Sequence, residues 1–341
     1  MHHLFLVAAL FGQGQPQHPG HLVIVGGGPT APEIAERTLM LAGGKKARVL
    51  IIPHASGQSN AGQGSLEMWR KVGAEQVAIL DLIDGLAALE AVRKADLIWM
   101  PGGSQSRLMT ALEQCFLAHA MGQTPLCGQF LALQAFSPGA AALLSQTPAS
   151  LAFTGLDSFS LARAIRERFL QGATVGGTSA GAAVMSKIML TADSRSSKFP
   201  TVDIGKGLGL CPEVIIDQHF FSRRRLNDLF LAVANHPEQV GIGIDECTAV
   251  IVHGRSFEVI GRSYIVVIDA RNATTFGRKK GEVGPLGNVA VHWLRAGNRF
   301  DLDQRLVPSE DHRLLTEAKE TAPTKAALST GKGPAVPSQP K

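Results

Sequence analysis

The segment Gly172–Ser186, GATVGGTSAGAAVMS, carries the residue types best suited to chemistry. Within it, Gly177-Thr178-Ser179-Ala180-Gly181 is a G-x-S-x-G. Set between a strand and a helix, that pattern makes a tight elbow that pushes one hydroxyl into the open. The flanking glycines are needed because side chains there would collide across the turn. Ala173–Val175 reads as the short strand and Ala180–Met185 as the helix. The Ala180 N–H and the helix start would then face the Ser179 hydroxyl, where they can stabilise an oxyanion. A serine hydroxyl is a weak nucleophile. It needs a positioned base, and the base needs an orienting acid. Val214-Ile215-Ile216-Asp217-Gln218-His219 runs from a strand pattern into polar residues, which puts His219 at a strand end. Sites in α/β proteins are built at such ends. Val240–Ile244 is a second strand-like run, and it ends in Asp245-Glu246. Either acid could orient His219.

The order of these residues argues against an α/β-hydrolase. That fold places its serine first, its acid second and its histidine last. Here His219 precedes both acids. An α/β-hydrolase would have to use Asp245 with His253 or His292, and it would want an HGGG-type motif upstream, which is missing.

These side chains need a scaffold, and the first half of the chain supplies one by alternation. His21–Val25, Ala47–Ile52, Gln76–Leu80 and Asp96–Met100 are strand-like. Between them, Pro32–Leu41, Ser65–Val72 and Leu86–Lys94 have helical patterns, with Pro32 suited to a first turn. Apolar strands alternating with helices predict an α/β fold, a mostly parallel sheet with helices on both faces. In the last third, Ala249–Val252, Ser256–Ile260, Tyr264–Asp269 and Val289–Leu294 are strand-like and joined by short turns. They predict antiparallel additions at the sheet edge.

The ends and one internal stretch differ from this core. Leu4–Phe11 is an unbroken apolar run followed by small residues at Gly12 and Gly14. It is too short to span a bilayer but is spaced like a secretory signal, although the usual basic start is missing. Residues 1–20 are therefore expected to be a signal peptide or N-terminal extension. A signal there would place the mature protein outside the cytoplasm, secreted or periplasmic; otherwise the protein is cytoplasmic. Residues 309–341 have a Pro-, Ser-, Thr-, Ala- and Lys-rich composition that predicts a flexible tail. Residues 21–308 then form one catalytic domain. Inside it, Gln114–Leu156 lacks Asp, Glu, Lys and Arg altogether. Gln123, Gln129, Gln134 and Pro138 interrupt every long apolar window, so this is no membrane anchor. It reads as a buried or loosely packed insertion, or as a lid or dimer contact near the site.

Composition excludes several other classes. With 45% hydrophobic and 18% charged residues, the chain is neither disordered nor a coiled coil. A net charge of +5 without a Lys/Arg-rich block gives no case for nucleic acid. Cys115, Cys127, Cys211 and Cys247 form no CxxC pair, and the 11 histidines show no metal-binding spacing, so no metal is expected. Gly26-Gly27-Gly28-Pro29-Thr30-Ala31 fits the dinucleotide fingerprint after a strand. The next strand, however, ends in Pro53-His54 where an acid should hold the ribose, so no cofactor is expected. The triplet reads instead as a turn that lets a helix pack closely on the sheet.

Taken together, GGTSAGAAVMS, the Asp217–Phe220 DQHF with its Arg-rich continuation, and GIGIDE at Gly241–Glu246 resemble the cyanophycinase-like serine peptidases of family S51. VIVGGG at Val23–Gly28 and the Met100–Gln105 segment extend the resemblance. It spans His21 to about Pro308, apart from the uncharged insertion. The resemblance implies a flavodoxin-like sheet of the class I glutamine amidotransferase type, usually in a homodimer. It implies Ser179 as nucleophile, His219 as base and Glu246 as acid, with the Gly103 and Ala180 N–H groups as oxyanion hole. Gln105, Asp217, Gln218, Arg223 and Arg225 match substrate-pocket positions.

The implied reaction is hydrolysis of aspartyl-linked peptides, such as the β-Asp-Arg units of cyanophycin, through an acyl-enzyme. Arginine forks suit the free α-carboxylate of such a substrate. An esterase could use the same elbow, and a degenerate relative would bind peptide or carboxylate without turnover. Three departures stand out. Asp228 occupies the place of a third Arg in the family's R-x-R-x-x-R, which weakens the case for cyanophycin itself. Cys247 follows the acid pair where Asp is familiar. The uncharged insertion lengthens a connection that is normally one shorter helical crossing.

Overall fold

The computed structural model describes residues 19–120, 160–191, 202–275 and 286–309. The expected signal, apart from Pro19 and Gly20, and the tail, apart from Ser309, lie outside the described residues, as does most of the uncharged insertion. The apolar runs become strands with boundaries close to those expected. β1 (Leu22–Val25), β2 (Arg48–Ile51), β3 (Gln76–Ile79), β4 (Leu97–Met100) and β5 (Thr174–Thr178) are mutually parallel. Three antiparallel strands extend this sheet: β10 (Thr248–His253), β11 (Ser256–Gly261) and β16 (Arg299–Asp301). The order is β16-β11-β10-β1-β5-β4-β2-β3.

The antiparallel edge additions expected from Ala249–Val252 and Ser256–Ile260 are thus present, and the remaining strands lie in a second sheet. β8 (Val214–Gln218), β9 (Val240–Ile244), β12 (Tyr264–Asp269) and β15 (Ala290–Arg295) form a second sheet in the order β15-β12-β9-β8. β8 and β9 are parallel, and the other pairs are antiparallel. Two short ribbons complete the strands, β6 (Ile188–Leu190) with β7 (Ile204–Lys206) and β13 (Thr274–Thr275) with β14 (Leu286–Gly287).

Alternation along each strand assigns its faces. In β1, Val23 and Val25 pack with α1 (Pro32–Leu41) and α2 (Gln63–Lys71), where Trp69 meets Trp99 edge-on at 5.1 Å. Leu22 and Ile24 face the opposite layer. That layer holds α3 (Gly85–Lys94), α4 (Gln105–Ala120) and α5 (Leu161–Leu170), plus the short α6 (Ala180–Ala183). It also holds Ile216, Ile242, Ile244, Ile265 and Val267 of the second sheet. One apolar core therefore joins the two sheets. α4 carries the chain into the start of the uncharged stretch before the described residues stop.

The outer face of the second sheet is covered by α7 (Leu226–Asn235). The sequence VGIGI of β9 shows how. Its isoleucines point into the shared core, while a Cβ on Gly241 would lie 2.5 Å from Val233 of α7. Glycine lets the helix sit directly on the strand.

Candidate active site

The loops after β1, β4, β5, β8 and β9 meet at the carboxyl ends of these strands, where this class of fold places its sites. The loop after β5 is the elbow. Ser179 has φ 55° and ψ −116°, a conformation that costs an L-residue energy and persists only under constraint. The constraint is close packing. A Cβ on Gly181 would lie 1.8 Å from the Met100 carbonyl oxygen, and one on Gly177 would lie 2.6 Å from the Gly181 backbone. The Ser179 N–H also donates to the Val25 carbonyl at 3.1 Å. Gly102, on the loop after β4, stands against the serine: a Cβ there would be 3.3 Å from Ser179 Cβ.

His219 comes from the end of β8 in the other sheet. Its Nε2 lies 3.0 Å from Ser179 Oγ, and its Nδ1 lies 2.5 Å from Glu246 Oε1. With the proton on Nδ1, the ring donates to the carboxylate, and Nε2 is left to accept the serine proton. The structure thus brings Ser179, His219 and Glu246 into one hydrogen-bonded chain. It also separates the two acids that sequence spacing left equivalent. Asp245 Oδ1 accepts the Phe221 N–H at 3.2 Å, and its Oδ2 accepts the Ser263 hydroxyl at 2.7 Å. Asp245 is turned into the structure while Glu246 is turned to the histidine.

Two parts of this assembly were not read from the sequence. The first is Ser222, whose hydroxyl lies 3.1 Å from Glu246 Oε1 and 3.1 Å from the His219 carbonyl. Its only local signal was a serine three residues beyond His219. The His219 hydrogen bond, with a smaller contribution from Ser222, holds the Glu246 carboxyl below the ordinary glutamate range. The second is the role of Gly26-Gly27-Gly28. This turn seats the acid–base pair rather than merely easing a helix onto the sheet. A Cβ on Gly27 (φ 112°) would fall 2.4 Å from the His219 ring, and one on Gly28 would fall 3.1 Å from Glu246. The Gly26 carbonyl accepts the His219 N–H, and the Gly27 carbonyl accepts the Cys247 N–H.

The residues matched to a substrate pocket lie nearby in different states. Gln105 is buried and donates its amide to the Leu190 carbonyl at 2.9 Å. Arg223 is exposed, and its N–H donates to the His219 carbonyl. Arg225 turns inward and donates to Asp217 Oδ1 at 3.0 Å. Asp217 is fully buried, and burial pushes its pKa up to about 7 against the pull of Arg225. Asp217 Oδ2 and Gln218 Oε1 have no hydrogen-bond partner among the described residues. A buried acceptor left this way is costly unless something fills it. Asp228 is exposed in the first turn of α7. Ala180 directly follows Ser179, and Gly103 follows the Gly102 that packs on the serine; neither N–H has an acceptor among the described residues.

An α/β fold with an elbow serine hydrogen-bonded to a histidine and a carboxylate defines the class of serine-type hydrolases. Comparison with known proteins narrows it. The model of peptidase family S51 matches residues 153–260, a span that contains Ser179, His219 and Glu246. The cyanophycinase of Geminocystis herdmanii is 35% identical over 283 residues, covering 79% of this chain and 88% of that protein. The cyanophycinase of a Nostoc species is 35% identical over 287 residues, covering 80% and 81%. A peptidase from an acI-B1 actinobacterium shares the fold, with a TM-score of 0.51 and 22% identity over 84% of this chain and 98% of its own. The chain belongs to peptidase family S51, among its cyanophycinase-like members, and is a serine peptidase.

Proposed function

We propose that this peptidase hydrolyses aspartyl-linked peptides of the β-Asp-Arg kind through an acyl-enzyme. The observation that carries the reading is the relay Ser179–His219–Glu246, with successive separations of 3.0 and 2.5 Å. Ser179 Oγ attacks the amide carbon as its proton passes to His219 Nε2. The N–H groups of Gly103 and Ala180 stabilise the oxyanion. The tetrahedral adduct collapses as His219 returns that proton to the leaving amine. Water, deprotonated by His219, then releases the acyl group. Glu246 keeps the imidazole in the working tautomer and stabilises its charged form.

The cyanophycinase names of the relatives support an aspartyl-linked substrate. The buried acceptors Asp217 Oδ2 and Gln218 Oε1, beside His219, suit a donor group on it such as a free amine. Asp228 favours short β-aspartyl peptides over the polymer, because it sets an anion where the family pattern has a cation. The apolar N-terminal run supports export, which N-terminal sequencing of the mature chain tests. The resemblance supports a homodimer, which sedimentation tests.

The deciding assay compares β-Asp-Arg dipeptide, cyanophycin and a p-nitrophenyl ester on the wild type, Ser179→Ala and His219→Ala. Dipeptide turnover that both substitutions abolish is expected. Ester turnover that survives His219→Ala sinks the relay as drawn.

A further inference from the structure

The proposed oxyanion loop is held by a contact that the chemistry above does not use. Gly103 (φ 147°) lies against the loop that follows β2: a Cβ on it would sit 2.3 Å from the Ala55 carbonyl oxygen. That same oxygen accepts two donors, the Ser104 N–H at 2.9 Å and Arg107 Nη1 at 3.1 Å. Arg107 stands in the first turn of α4, where its own N–H donates to Ser104 Oγ at 3.2 Å. Its guanidinium also covers Gly57, whose Cβ would lie 3.4 Å from Nη1. One carbonyl therefore joins two loops, and a cation completes its coordination. The neighbouring Gly102 packs on Ser179. A shift of Ala55 is thus passed directly to the loop that faces the nucleophile.

We propose that Arg107 is a positioning residue: through Ala55 it locks the Gly102–Ser104 loop in the register that aims the Gly103 N–H at the reacting carbonyl. Its charge is the reason for the choice of side chain. A charged donor bonds a carbonyl more strongly than a neutral one, and a long side chain can reach across from the helix to the other loop. The inference rests on the peptidase reading above for its catalytic half and on geometry alone for its structural half.

The test compares the full-length wild type with Arg107→Met and Arg107→Lys by two measurements. Hydrogen exchange at the Ser104 amide reports the clamp without any turnover. Steady-state kinetics on the β-Asp-Arg dipeptide report its use. In Arg107→Met, Ser104 exchange is expected to rise about tenfold, the fold-change of one lost charged hydrogen bond, with β1 and β5 unaffected. kcat is expected to fall about tenfold while KM stays within about twofold, because only the transition state uses the N–H. Arg107→Lys should recover most of both. Unchanged Ser104 exchange, unchanged kcat, a rise in KM alone, or a lysine no better than methionine would each overturn the proposal. Should Arg107→Met fail to fold, Arg107→Gln takes its place under the same readings. If the wild type fails to cleave the dipeptide, the peptidase reading falls by itself, and Ser104 exchange still decides the clamp.

Discussion

The two sheets hold their parts of the site by different means. The parallel sheet presents Ser179 from a left-handed turn wedged between glycines, with no space for a Cβ at Gly177 or Gly181. The second sheet presents His219 and Glu246 from loops pinned by hydrogen bonds to Gly26 and Gly27, and the Glu246 side chain is 39% exposed. The nucleophile is aimed by packing, the acid by hydrogen bonds at the edge of water. Packing resists displacement steeply, because close-packed atoms have nowhere to go. A hydrogen-bonded carboxylate gives way gradually and with pH. Damage to the two sides should therefore look different.

The sharpest break is at the serine. Ser179→Ala should lower kcat by about 10⁴-fold or more at every pH while leaving Tm unchanged. A loss below tenfold in peptide turnover would mean that the wedged turn is not the reactive centre.

Gly27→Ala probes where the two modes meet. Its methyl would lie 2.4 Å from the His219 ring, on a backbone of positive φ. Displacing the ring by about 1 Å should cost about 10²-fold in kcat/KM. The rate of fluorophosphonate labelling at Ser179 should fall in parallel, since both reactions need the base. Full labelling in this variant would show that the acid–base side tolerates even packing damage.

Arg225→Met tests the buried ion pair behind His219. Breaking such a pair leaves Asp217 without its cation and should cost about 3–5 kcal/mol above neutrality. The sign follows from linkage. The folded pKa of Asp217, about 7, stands above that of an unfolded aspartate, so the folded state holds the proton more tightly. This group's contribution to stability is therefore present at low pH and lost as pH rises from about 4 through 7. Without Arg225 that loss deepens. The Tm deficit of the variant should be large at pH 8 and small at pH 5. An equal deficit at both would show that lost packing, not charge, is the cause.

The smallest effect is expected at Ser222. Ser222→Ala removes one of the two donors that hold the Glu246 carboxyl down. The carboxylate then protonates at a higher pH. The acid limb of the kcat/KM profile should move upward, with a loss of only a few-fold at pH 8. A uniform drop without a shift of the limb would assign Ser222 to folding rather than to the carboxylate.

Much of this was legible along the chain. Helix Pro32–Leu41 has the limits that its proline and apolar period predict, since both are local signals. The elbow could be read because a positive-φ serine between a strand and a helix needs glycine on either side. The second sheet could not be read, because β12 and β9 pair through backbone bonds that any apolar strand could make. The seating of His219 on Gly27 joins residues far apart in sequence, and no periodicity records it. The inward turn of Arg225 was hidden for a similar reason. From sequence alone, an arginine in an Arg-rich run is as well suited to a substrate carboxylate as to an internal aspartate.

The sequence by itself determined which groups are present and in what order: a serine on an elbow, a histidine after one strand, two acids after the next. That order excluded the α/β-hydrolase arrangement. Resemblance favoured Glu246, but residue spacing alone left it level with Asp245. Tertiary structure divided them. Asp245 points to Phe221 and Ser263, and Glu246 points to His219. Both acids stand in the turn that follows β9, where only one of the two carboxylates reaches His219. Which one is decided by how the loops after β8 and β9 pack on each other and on the Gly26–Gly28 turn.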